Sequence, residues 1–82
     1  PRAETILFFC LMMGLRLVDE GVDRARAQRQ SGLDPVTHFA AVWQDLENEN
    51  LVRIDVDRIR TTARGALLLD HVLTRLLPSQ QV

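Results

Sequence analysis

From Ile6 to Met13 the chain carries no charged residue, and no polar face interrupts the run. Its spacing predicts a first helix from about Ala3 to Arg16. A surface helix of a small domain shows one apolar stripe, whereas apolarity all round marks burial on several sides. A chain of 82 residues can hardly wrap a helix completely. One side of this helix is therefore expected to pack on something outside the chain.

The remaining blocks are more regular. Gly21 suits a turn with positive φ, and Asp23 can cap a short helix from Arg24 to Ser31 that stops at Gly32. Asp34-Pro35 is a helix start, with an N-cap acid and a proline at the first helical position. Val36, Phe39, Trp43 and Leu46 then share one face of a third helix that ends near Asn48 to Asn50. Val52, Ile54 and Val56 alternate with Arg53 and Asp55, the period of a strand. Arg58 to Thr61 reads as its return partner across a tight turn at Val56-Asp57. Thr62 caps a last helix whose stripe is Leu69, Val72, Leu73 and Leu76, closed by Pro78. Residues 79–82 read as a frayed tail.

Helix, helix, helix, hairpin, helix is the plan of a winged helix-turn-helix. The expected fold class is mainly α: a winged-helix-like domain of three to four helices with a two-stranded β-hairpin wing, over residues 1–77. The hairpin should cover a core made by helices one, three and four.

Composition adds limits. Hydrophobic residues make up 46% and charged residues 26%, which is ordinary for a soluble globular domain. Ten basic residues oppose eleven acidic ones, every cation is Arg, and the net charge of -1 gives no general pull toward phosphate backbones or anionic membranes. The uncharged stretch Ile6 to Leu15 is far short of the roughly twenty residues a bilayer requires. No cleavage site follows it, so a secretory signal is not expected. Cys10 is the single cysteine, flanked by Phe9 and Leu11, and reads as a buried thiol in an intracellular, cytoplasmic protein. The chain opens on Pro1 rather than Met, as a piece of a longer protein would.

Fold does not establish DNA binding. The helix that would enter a groove offers His38, Gln44, Asp45, Glu47 and Asn48, and no cation lies between Pro35 and Leu51. A reading helix should present cations to phosphates and base edges. The arginines lie instead on helix two (Arg24, Arg26, Arg29) and on the wing (Arg53, Arg58, Arg60), where a solvated face is the expectation. No catalytic or metal constellation stands out. His38 and His71 lack ligand partners at helical spacing, and a metal needs three or four convergent ligands. Asp19-Glu20, Glu47-Glu49 and Asp55-Asp57 are pairs by sequence only. Met12 and Met13 sit in an apolar helix, where packing accounts for them.

Three short motifs in order carry a resemblance. Leu15-Arg16-Leu17 closes the apolar helix and is followed by Glu20-Gly21-Val22. Asn50-Leu51-Val52 follows the third helix. Thr62 and Gly65 open the last one. Over about Leu11 to Leu77 the chain resembles the C-terminal domain of the oxygen-independent coproporphyrinogen III oxidases and their haem-chaperone relatives, which are radical S-adenosylmethionine proteins. Asn50 stands where that family usually has Gly, and Thr61 where it usually has Leu. The resemblance implies a parent with an N-terminal barrel that binds a [4Fe-4S] cluster and S-adenosylmethionine through a CxxxCxxC motif. With Cys10 alone, no catalytic, cofactor-binding or metal residue transfers to this chain, and no cofactor is expected in it. The implied role is an accessory domain packed against the parent's catalytic barrel. Ile6, Phe8, Phe9, Met12 and Met13 are then the candidates for interdomain contact; neither membrane nor nucleic acid is an expected partner. The competing readings are a winged-helix DNA-binding or protein-interaction module of a transcriptional regulator, and a scaffold that dimerises through helix one.

Overall fold

The computed structural model describes residues 2–17 and 19–77. The frayed tail, and Pro78 as the last helix's terminator, fall outside the described residues. In chain order the elements are α1 (Arg2–Leu15), β1 (Val22–Asp23), α2 (Arg24–Ser31), α3 (Pro35–His38), α4 (Ala40–Asn48), β2 (Val52–Ile54), β3 (Arg58–Thr61), α5 (Ala63–Leu67) and α6 (Leu69–Leu76). The expected helix starts hold in atomic detail. Asp23 accepts from the Arg26 amide at 3.1 Å, Asp34 from the Val36 amide at 3.1 Å, and Thr62 Oγ1 from the Gly65 amide at 3.0 Å. Each satisfies an amide that has no partner inside its own helix. Gly32 closes α2 at φ 82, where its amide donates to the Gln28 carbonyl.

Three expectations need correction. The wing is not an isolated two-stranded hairpin: β1 joins it, giving an antiparallel sheet of order β1-β3-β2 with Val22 opposite Ile59 and Val52 opposite Thr61. Two residues are too few to show an alternation, so this strand has no signature in the sequence. Helix three is broken at Phe39 (φ -114, ψ 33) and the last helix at Leu68 (φ -110, ψ 33), which gives six helical segments among the described residues. Phe39 packs against the core, and neither break falls on a Pro or Gly. Finally, β2 ends at Ile54, and Val56 is 89% exposed at the wing tip instead of continuing the inward face.

The core gathers Leu7, Leu11 and Leu15 of α1, Val22 of β1, Ala27, Trp43, Leu46, Leu51, Val52, Ile59, Val72 and Leu76. The three leucines of α1 repeat every four residues and so face one way. Each fully buried Leu contributes about 1.5–3 kcal/mol relative to exposure. Trp43 is buried too, and its indole Nε1 donates to the Pro35 carbonyl at 2.8 Å, which ties α4 back to the start of α3.

The signature residues meet around β3. Gly21 adopts φ 67, and a Cβ there would collide with the Ile59 carbonyl. Asn50 adopts φ 62. Among residues with a side chain Asn is one of the few that tolerate this region. Thr62 donates its hydroxyl to the Asn50 carbonyl at 2.7 Å and its amide to the Leu51 carbonyl at 3.0 Å. Gly65 lies so close to that same carbonyl that any Cβ would overlap it. Thr61 is buried and donates to the Leu15 carbonyl at 3.4 Å, joining β3 to the end of α1.

Candidate interdomain surface

The faces of α1 are unlike one another. Leu7, Leu11 and Leu15 are buried. Phe9 and Met13 point the other way and are 54% and 63% exposed. Leu17, just past the helix, is 52% exposed. Phe8 packs against the core, 6.3 Å from the Phe9 ring centre to centre. Ile6 and Met12 are half-buried. Of the five candidate contact residues, then, Phe9 and Met13 present the free apolar surface, and Phe8 is occupied inside the domain. Leu17 was not among the candidates, because no periodicity extends past the end of the helix.

Beside this stripe, α1 and α2 enclose a groove of about 600 Å³. Phe9, Cys10, Met13 and Leu17 line one side, Arg26 and Gln30 the other, and Arg58 and Glu20 lie at its margin. Cys10 is half-buried here, not fully buried as expected, and its Sγ donates to Gln30 Oε1 at 3.1 Å.

Of the wing arginines expected on a solvated face, Arg53 is exposed, and Arg58 and Arg60 stay partly exposed while bonding within the chain. Arg60 Nε donates to the Asp19 carbonyl at 2.9 Å and its guanidinium pairs with Asp55 at 3.0 Å. Arg58 donates to the Glu20 carbonyl at 3.3 Å and lies 4.0 Å from Asp23. Together with the Gly21 amide, which donates to the Leu17 carbonyl at 2.6 Å, these bonds hold the turn that displays Leu17. Arg24 of α2 forms a fork with Asp34, at 2.9 and 2.6 Å. That pair holds the Asp34 carboxyl well below the usual carboxylate range, chiefly through the Arg24 hydrogen bonds and further through Thr37 and the Val36 amide. It raises Arg24 in turn. Asp23 is lowered by the Arg26 amide first.

The histidines, Asp45 of α4 and Glu49 just past it also find partners. His38 Nε2 lies 3.0 Å from Glu4 of α1, and His71 lies 3.7 Å from Glu49. Arg75 gathers Asp45 at 3.1 Å and Glu49 at 3.6 Å. No group of three or more His, Cys, Asp or Glu residues converges as a metal site among the described residues. An iron–sulfur cluster needs several convergent thiolates, which Cys10, hydrogen-bonded to Gln30, does not fit. No helix among the described residues is long and apolar enough to cross a membrane.

Element order, the three-stranded sheet and the hairpin at Asp55 to Asp57 define a winged-helix-like domain. Residues 3–68 match the family model of the HemN C-terminal domain. The chain therefore belongs to the HemN C-terminal domain family, in the context of radical S-adenosylmethionine, coproporphyrinogen-oxidase-type proteins. No curated protein and no solved structure matches it.

Proposed function

We propose that this chain is the C-terminal accessory domain of a radical S-adenosylmethionine protein of the oxygen-independent coproporphyrinogen III oxidase type, or of a haem-handling relative, and that it packs on the parent's catalytic barrel through the outward face of α1. The observation that carries the packing is the pair Phe9 and Met13, large apolar side chains more than half exposed on the side of α1 opposite its buried leucines. Contiguous exposed apolar surface rimmed by polar residues marks interaction sites, and Leu17 extends this pair. Family membership supplies the context in which a barrel is the partner. In this reading the [4Fe-4S] cluster and S-adenosylmethionine belong to the barrel. This chain's residues contribute packing and cover, not ligands, and the location is cytoplasmic.

Calorimetry between the chain and a separately produced barrel of the parent tests this. Binding that drops at least tenfold in Met13→Asp, with the fold intact by circular dichroism, is the expected result. Equal binding by the variant, or no binding by either, overturns it.

A further inference from the structure

The apolar stripe on α1 begins and ends on arginine. Arg2, Phe9 and Arg16 are spaced by seven residues and Met13 lies between the last two, so all four fall on one side of the helix path. Arg2 and Arg16 are exposed, and Arg26 lines the groove beside Phe9 and Met13. Arg2, Arg16 and Arg26, like Arg29, Arg53 and Arg64, have no ion-pair partner among the described residues, whereas Arg24, Arg58, Arg60 and Arg75 do. The acids nearby are Glu20 and Asp19 in the turn, and Asp23, which faces Arg58.

From this we infer that the surface takes an acidic amphipathic helix, supplied by the catalytic domain, whose apolar side chains seat on Phe9, Met13 and Leu17 and whose carboxylates meet Arg2 and Arg16. The inference rests on the interdomain reading above and gives its partner a chemistry. Arg2 opens α1 and Arg16 follows its last residue, Leu15, so at 1.5 Å per residue they stand about 20 Å apart along the helix direction. The matching acids therefore lie about four turns apart. A second copy of the chain fits poorly: laid antiparallel and centred on Phe9, it brings Arg2 of each copy against Arg16 of the other. Like charges set against each other suppress such pairings.

The probe is a synthetic amphipathic helical peptide with a leucine stripe and Glu residues fourteen positions apart, compared with the same peptide carrying Lys there. Binding to the 82-residue chain is followed by amide chemical shifts, beside sedimentation of the chain alone. The expected result is tighter binding of the Glu peptide, weakening with salt, and a preference that inverts in the Arg2→Glu, Arg16→Glu double variant. Each reversed arginine should change affinity by roughly 2- to 5-fold, the range of exposed ion pairs. Equal binding of both peptides, binding of neither, or self-association through α1 overturns the inference. Association with the barrel separates the two claims. If the double arginine variant keeps full affinity while Met13→Asp loses it, the interdomain reading stands and the acidic partner falls.

Discussion

Replacing Gly65 with alanine should destabilise this domain, although α5 is helical there and a helix interior ordinarily gains from the change. By propensity alone, Gly→Ala in a helix is worth about 1 kcal/mol of added stability. The surroundings oppose it. The new Cβ would overlap the Leu51 carbonyl oxygen and lie 2.8 Å from its carbon. Backbone cannot rotate away as the end of a flexible side chain can. The same oxygen accepts the Thr62 amide, and the Thr62 hydroxyl caps Gly65 itself, so a shift strains the cap as well. Overpacking costs about 1–3 kcal/mol and a weakened cap about 1 kcal/mol. Less the propensity gain, the net loss is about 1–3 kcal/mol. For a domain of this size that lowers Tm by about 4–24 °C, at roughly 4–8 °C per kcal/mol. Thermal and urea unfolding followed by far-ultraviolet circular dichroism measure it. Gly32→Ala is the control, because its Cβ meets nothing within 4 Å and its cost comes only from φ 82. A Gly65→Ala protein as stable as the wild type, or more stable, would refute the close approach of α5 to Leu51.

The same junction yields further expectations. Thr62→Ala removes the cap of α5 and the bond to the Asn50 carbonyl, and urea midpoints should show a loss of about 1–2 kcal/mol. Asn50→Val places a β-branched residue at φ 62 and should cost about 1–2 kcal/mol, whereas Asn50→Gly should stay within about 1 kcal/mol of the parent. Acid unfolding tests the Arg24–Asp34 fork. The Asp34 carboxyl is lowered in the folded chain relative to about 3.9 unfolded. The unfolded state then takes up the proton first, so this contribution is complete above about pH 4 and is lost as pH falls below it. Asp34→Asn should flatten the acid limb of a stability–pH curve; an unchanged limb would place the sensitivity elsewhere.

How much was legible depends on how local the signal is. Asp23, Asp34 and Thr62 announce their helices because a cap is a contact between neighbours in sequence, and all three make the expected bond. Gly21 was readable as a positive-φ turn for the same reason. The strand Val22–Asp23 was not, since it exists only through pairing with Ile59 and Arg58 far along the chain. Nor were the breaks at Phe39 and Leu68, which no proline or glycine marks. The candidate surface was half visible. An apolar helix with no polar side implied a second partner, but sequence alone could not separate Phe9 and Met13, which are exposed, from Phe8, which packs inward. That division depends on where the sheet and α2 sit. The bonds of Arg58 and Arg60 were hidden for a related reason: their acceptors are backbone carbonyls of Glu20 and Asp19, about forty residues away, and carbonyl direction leaves no trace in a sequence.

The central claim is that the outward face of α1 meets the catalytic barrel. A photo-crosslinking amino acid placed at Met13 in the intact parent polypeptide tests it most directly, with a second placed at Val56 on the exposed wing tip for comparison. Cross-links from position 13 to peptides of the barrel, and few from position 56, are the expected result. Cross-links from position 13 only to a second copy, or none there while position 56 reacts with the barrel, would contradict it.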